Sequence, residues 1–201
     1  MKLLQKSLLI TSFCAIASLL SACQSPIESK PVGLYENYWT TMQEKLAAIN
    51  TAKLKGRLGI QNPQGRMSAY YNYNLDNDSY TLELISSMGS QIGKLSVDAK
   101  GASLIADGRV YRHQNPESLI KDRFGLEIPL SSLKEIMLGI PQGRALKNPE
   151  GQYLSAAVSG FVIEYQKFAE FNGYALPSDF TISNEDTLIK VKLNEVLELN
   201  S

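Results

Sequence analysis

The sequence predicts an α+β fold in which one long antiparallel sheet carries an N-terminal helix and a helical pair inserted midway. Three observations support this prediction. Apolar residues first recur every three or four positions, and from Leu54 onward they recur every second position. The helical period returns once, after Asn115. Short turns rich in Gly, Asn, Asp and Pro separate the alternating stretches, so consecutive strands should pair as antiparallel neighbours.

The N-terminal helix is predicted over residues 34–52. Its apolar side chains are spaced by four or three positions and form one stripe: Leu34, Tyr38, Met42, Leu46 and Ile49. Trp39 lies beside that stripe. A stripe of this width is typical of a helix that packs one side against a sheet.

Alternation then predicts a meander of strands. The apolar positions that should share one face are Leu54, Leu58, Ile60, Met67, Ala69, Tyr71, Tyr73, Leu75, Tyr80, Leu82, Leu84, Leu95 and Val97. Turns are predicted at residues 62–65, 76–78, 86–90, 100–101 and 107–108. Asp107-Gly108 is a strong hairpin signal.

The inserted helical pair should begin at Asn115-Pro116-Glu117, which supplies an N-cap, a proline at the first helical position and an early acid. This helix should run to Gly125, and a second helix should run from Pro129 or Ser131 to Leu138. Four further strands are predicted at residues 153–158, 161–165, 180–182 and 188–193.

Residues 1–22 have the features of a lipoprotein signal peptide. Lys2 and Lys6 precede a short, mostly apolar run, which is too short to favour a membrane-spanning helix. Leu20-Ser21-Ala22-Cys23 resembles the bacterial lipobox. That resemblance implies a diacylglyceryl group on the thiol of Cys23 and, after cleavage, an acyl group on its amino terminus. The alternative is an ordinary signal peptide that ends near a cysteine.

Cleavage before Cys23 would change the cysteine content and the charge balance of the mature chain. It would remove Cys14 and two lysines, so the balance of 20 basic and 20 acidic side chains would become an excess of two acidic ones. Residues 23–33 are predicted to be the lipidated N-terminus and a flexible tether, and residues 34–201 a single domain. By resemblance to enteric sorting signals, Gln24 favours export to the outer membrane. The expected location is therefore the outer membrane, lipid-anchored and facing the periplasm.

The composition excludes several classes of protein. Hydrophobic residues make up 44% of the chain and the formal net charge is zero, which argues against intrinsic disorder. Two cysteines are too few for a disulfide scaffold. A dedicated nucleic-acid binder should carry a basic excess, whereas here the basic residues are balanced by acidic ones and scattered along the chain.

The sequence offers little for catalysis. His113 is the single histidine, so any serine or cysteine nucleophile would depend on it, and its position before the Asn115 cap favours a loop residue. One histidine and no retained cysteine supply a transition-metal site poorly. The acidic pair Asp76/Asp78 lies in a turn sequence. We therefore expect no enzymatic activity and no cofactor.

Four stretches of sequence resemble one family when they are taken together and in order. They are residues 55–60, residues 80–95, residues 126–141, and residues 162–165 with 176–177 and 189–193. Residues 126–141 are the most specific of these. Behind a lipobox, this set resembles the LolB family of outer-membrane lipoprotein receptors.

The resemblance implies a half-open antiparallel β-barrel, here of about ten or eleven strands, closed by helices and shared with the soluble periplasmic carrier LolA. It implies that the protein accepts triacylated lipoproteins from LolA in an apolar cavity and inserts them into the inner leaflet of the outer membrane. The implied partners are LolA, cargo lipoproteins and outer-membrane phospholipid, with no nucleic acid and a monomeric chain.

The resemblance also implies site residues. The family carries an apolar residue before glycine in a protruding loop needed for insertion, and the matching pair is Met88-Gly89. The candidate cavity residues are Leu58, Ile60, Met67, Tyr71, Tyr73, Leu82, Leu84, Ile128, Leu130, Leu133 and Met137.

Each of these assignments has an alternative. The apolar residues could form an ordinary solid core, and Met88 could fold back onto that core. The whole protein could be an anchored outer-membrane scaffold lipoprotein that binds protein partners only. A continuous apolar cavity open to solvent would favour the receptor, and a solid core would favour the scaffold.

Overall fold

The computed structural model describes residues 30–31 and 38–201. The predicted signal peptide, Cys23, most of the tether and Leu34 lie outside the described residues. Among the helices described, none has the length and apolar character needed to cross a bilayer.

One antiparallel sheet forms most of the domain. Its strands are β1 (Lys30–Pro31), β2 (Thr51–Asn62), β3 (Gly65–Asp76), β4 (Ser79–Ile85), β5 (Gln91–Asp98), β6 (Gly101–Ala106), β7 (Arg109–His113), β8 (Arg144–Lys147), β9 (Tyr153–Val158), β10 (Phe161–Phe171), β11 (Tyr174–Ser183) and β12 (Leu188–Asn200). The helices are α1 (Tyr38–Ala47), α2 (Pro116–Phe124) and α3 (Leu133–Leu138), with a 3₁₀ turn at Leu130–Ser132.

Eleven strands follow the path β7-β6-β5-β4-β3-β2-β12-β11-β10-β9-β8, and the two-residue β1 pairs with β10 beside this path. The path begins at β7 and ends at β8, so the sheet is not closed. The predicted α+β fold, a half-open antiparallel barrel with an N-terminal helix and an inserted helical pair, is confirmed.

The N-terminal helix ends earlier than predicted. α1 stops at Ala47, and the chain has entered β2 by Thr51. Two backbone bonds explain this end: the Asn50 N–H donates to Asn200 O at 2.8 Å, and the Asn77 N–H donates to Asn50 O at 2.7 Å. Because the sheet holds the backbone at Asn50, Ile49 is buried without belonging to the helix.

The inserted pair follows its predicted signals. The Asn115 side chain accepts from the Ser118 N–H at 2.7 Å and caps α2, which ends at Phe124 and is followed by Gly125 in the left-handed region. The second helix differs from the prediction because it begins as a 3₁₀ turn at Leu130 before α3. It ends at Gly139, where φ is 74° and a Cβ would lie 2.9 Å from the Phe168 ring, so only glycine fits.

The structure adds residues and strands that alternation did not indicate. β8 was not predicted because its four residues are all exposed, so no buried face marks it. β11 begins at Tyr174 although Pro177 interrupts the pattern. Pro177 lies opposite Phe168, where β10 shifts register after Tyr165, and a bulge is where a strand tolerates proline.

Antiparallel order places five turns at one end of the sheet, which we call the loop end. They are residues 63–64, 86–90, 107–108, 159–160 and 184–187. The three helices pack against the inner face of the sheet, which carries the buried alternate positions, and polar residues alternate onto the outer face.

Candidate functional site

An apolar cavity of about 310 Å³ lies between the inner face of the sheet and the inserted helical pair. Aliphatic side chains from β2, β4, β5 and β6 form one wall: Ile60, Leu82, Leu84, Leu95 and Leu104. The helical segment forms the other wall with Ile120, Phe124, Leu126, Ile128 and Leu130. The exposed side chains of Met67 and Ile92 line the cavity near the turns of the loop end.

A smaller cavity of about 70 Å³ continues inward. It shares Ile60, Leu82, Leu84, Ile128 and Leu130 with the larger cavity, and it is otherwise lined by Leu58, Tyr71, Leu133, Met137, Ile182, Ile189 and Val191. The two cavities therefore form one apolar track from the loop end towards α3. Gly56 shapes the sheet near this track, because a Cβ there would lie 2.7 Å from the Tyr71 ring and 2.0 Å from Lys192 O.

The structure brings ten of the eleven candidate cavity residues to the walls of this track: Leu58, Ile60, Met67, Tyr71, Leu82, Leu84, Ile128, Leu130, Leu133 and Met137. Tyr73 is placed elsewhere. It is fully buried and packs against Tyr80, with ring centroids 5.5 Å apart. Alternation correctly indicates that Tyr73 faces inward, but it does not indicate how far along the strand the cavity extends.

Hydrogen bonds from two buried tyrosines and from one backbone N–H help to hold the helical pair in place. The Tyr80 hydroxyl donates to Leu130 O at 3.0 Å, and the Tyr165 hydroxyl donates to Ile136 O at 3.3 Å. The Ser131 N–H donates to a Glu117 carboxylate oxygen at 2.6 Å and joins α2 to the 3₁₀ turn. Burial raises the pKa of Tyr80, so its phenol stays protonated and remains a donor.

Sequence reasoning missed several lining residues: Ile92, Leu95, Leu104, Ile120, Phe124, Leu126, Ile182, Ile189 and Val191. The alternating pattern already placed Leu95 on the inner face, and Ile120 and Phe124 were assigned to the first inserted helix. Their role depends on which strands α2 covers, and that is a tertiary arrangement without a local signal.

The loop of residues 86–90 presents Met88 to solvent at 88% exposure. The loop is closed by its own backbone, since the Ser86 N–H donates to Ser90 O at 2.8 Å and the Gly89 N–H donates to Ser86 O at 3.0 Å. Gly89 has a φ of 83°, which favours glycine. Met88 therefore does not fold back onto the core, and it lies at the same end of the sheet as the cavity rim.

The His113 side chain forms a local hydrogen bond at the start of α2. Its Nδ1 accepts from the Asn115 N–H at 3.0 Å, at the start of α2. Within residues 38–201, no cluster of three or more His, Cys, Asp or Glu side chains could hold a metal ion.

Comparison with known proteins agrees with this architecture. The family model described as outer membrane lipoprotein LolB matches residues 50–195. An outer-membrane lipoprotein LolB of Tolumonas auensis is 26% identical over 197 residues, covering 97% of each chain. One from Aeromonas hydrophila is 29% identical over 160 residues, covering 78% of this chain and 82% of the relative.

A solved structure supports the fold alone. A LolA superfamily protein of Nitrosomonas europaea superposes with a TM-score of 0.50 at 10% identity, covering 81% of this chain and 94% of the other. Since the family model spans well over half of the sequence, the chain belongs to the LolB family of outer-membrane lipoproteins.

Proposed function

We propose that this outer-membrane lipoprotein receives triacylated lipoproteins from a LolA-type periplasmic carrier and inserts them into the inner leaflet of the outer membrane. One observation carries the proposal: the apolar track reaches the surface at the loop end, where Met88 projects. A chain held in that track would leave it on the side that the exposed apolar residue presents to a bilayer.

The physical demand on such a receptor is large. A triacylated N-terminus carries roughly forty methylenes, and at about 0.8 kcal/mol each its exposure to water would cost on the order of 30 kcal/mol. Cargo must therefore pass from one apolar site to another without entering water. The acyl chains have their lowest free energy in the bilayer, so each transfer step can lower the free energy of the cargo. No bond is made or broken in the protein.

The anchor and the loop have different roles in this proposal. Lipid chains on Cys23 would hold the receptor at the membrane, because one acyl chain binds only marginally and two or three bind stably. Full burial of the Met88 side chain would contribute only about 1.5–3 kcal/mol. That is too little to anchor a protein but enough to bring the loop end to the bilayer surface.

The test is transfer of a radiolabelled lipoprotein from the carrier to this protein, followed by its incorporation into vesicles. Met88→Glu should receive cargo at the wild-type rate, because Met88 lines neither cavity of the track. It should insert cargo at least tenfold more slowly, since a carboxylate is costly to bury in the bilayer.

Met88→Leu is the matched control and should insert cargo normally, because the side chain stays apolar. Normal insertion by Met88→Glu would disprove the role of the loop. Failure of the unchanged protein to receive cargo would disprove the receptor and leave the scaffold function.

A further inference from the structure

A second concave site lies on the outer face of the sheet, opposite the helices. It is a groove of about 840 Å³ that crosses β3, β2, β12, β11 and β10. Its floor includes Gly59 and Ser68, which are paired across β2 and β3. A Cβ at Gly59 would meet only Met67 O, at 3.9 Å, so the space above this position is open. We call this site the outer groove.

The outer groove is basic, in contrast to the rest of the domain. Four cationic side chains line it, namely Arg57, Lys167, Lys190 and Lys192, against one carboxylate, that of Asp179. Lys192 lies 3.9 Å from Asp179, and within residues 38–201 neither Lys167 nor Lys190 forms an ion pair. A groove with this charge selects an anionic partner.

An exposed aromatic ring adjoins these charges. Tyr70 is 44% exposed, and the guanidinium carbon of Arg57 lies 5.2 Å from the centroid of its ring. Tyrosine is enriched where membrane proteins meet the headgroup region, because its ring is apolar and its hydroxyl is polar. The combination of cations and an amphipathic ring therefore fits the surface of a bilayer.

The outer groove reaches the loop that carries Met88. Ser87 lines the groove, and the next residue is the exposed methionine. A bilayer that received the Met88 side chain would therefore lie next to the basic site, where its headgroups carry phosphate.

We propose that the outer groove binds the phosphates of anionic phospholipids, so that the outer face of the sheet docks on the membrane while Met88 enters it. Charge complementarity favours this occupant, and the shared edge at Ser87 favours a bilayer over a soluble anion. The orientation of the loop rests on the proposed function, but the binding itself does not.

The test uses a chain that begins at residue 24, which lacks acyl chains and retains every described element. Its binding is measured to phosphatidylcholine vesicles with and without about 30 mol% phosphatidylglycerol, at low and high salt. Each Lys near an anionic membrane surface contributes about 1 kcal/mol to the free energy of binding. The double variant Lys190→Gln/Lys192→Gln should bind anionic vesicles about 25-fold more weakly, or about fivefold for each charge removed.

The matched control is Lys45→Gln/Lys100→Gln, which removes the same charge from exposed positions in α1 and in the turn between β5 and β6. It should bind like the wild type, and both double variants should keep the wild-type Tm. Equal losses in the two double variants would overturn the proposal, because charge alone would then explain the binding.

Unchanged vesicle binding by Lys190→Gln/Lys192→Gln would also overturn the proposal that the outer groove binds phospholipid. If this variant then received cargo from the carrier more slowly, the groove would be assigned to protein docking. The vesicle assay contains neither carrier nor cargo. Its failure is therefore distinguishable from failure of the receptor function.

Discussion

The inner face of the sheet has two halves that are built differently. Over β9, β10 and β11, aromatic rings fill the space under α1: Trp39 lies 5.0 Å from Phe168, and Tyr165 lies 5.4 Å from Phe168 between ring centroids. We call this the packed half. Over β2 to β6 the inward side chains are mainly aliphatic and enclose the apolar track. We call this the cavity half.

The difference shows how one sheet combines a closely packed core with an apolar cavity. Rings in the packed half reach across to α1 and pack edge to face or at a tilt, so this half stabilises the fold. Leucine and isoleucine in the cavity half are too short to meet α2 everywhere. The cavities exist because that half is incompletely filled, so its side chains should contribute less to stability.

The largest expected effect is a difference in the free energy of unfolding between truncations in the packed half and in the cavity half. Phe168→Ala should lower the free energy of unfolding by about 3–5 kcal/mol and Tm by roughly 10 °C, since Phe168 packs against Trp39, Tyr165 and Gly139. Leu84→Ala should cost only about 1 kcal/mol, because Leu84 is half-buried and already faces a cavity. Urea denaturation measures both, and equal losses would contradict the division into halves.

Filling the cavity half should separate binding from stability. Leu84→Trp adds a ring to the walls of both cavities, and we expect the rate of cargo receipt to fall at least tenfold with Tm unchanged. Leu146→Trp is the control, because Leu146 is exposed on β8, away from the track. Normal receipt by Leu84→Trp would show that cargo does not use the track.

The smallest effect is expected from the hydroxyl groups that hold the helical pair. Tyr80→Phe removes the bond to Leu130 O and should cost about 1 kcal/mol and 2–4 °C in Tm. Amide hydrogen exchange should become faster over residues 130–138. Tyr165→Phe removes the longer bond to Ile136 O on the packed side, so it should leave cargo receipt unchanged. Equal effects of Tyr80→Phe and Tyr165→Phe on cargo receipt would contradict the division into a packed half and a cavity half.

Local patterns predicted much of the fold. Alternation identified the inner face of β2 to β5, and the Asn115 cap placed the start of α2. The end of α1 and the edge strand β8 were missed because sheet pairing defines them. The outer groove was missed for a related reason: its basic residues look scattered in sequence, and only the cross-strand register that pairs Arg57 with Lys192 and Lys190 with Gly59 brings them together.

The unpaired ends of the sheet bear on the size of the track. A closed barrel has a circumference set by its strand number and stagger, so its interior volume is fixed. Here β7 and β8 end the sheet, and residues 114–143 are the stretch of chain that connects them. The wall opposite the sheet can therefore move outward without breaking the strand ladder. The larger cavity of the track measures about 310 Å³, which is small for three acyl chains, so the proposed function requires the helical segment to move outward as cargo enters.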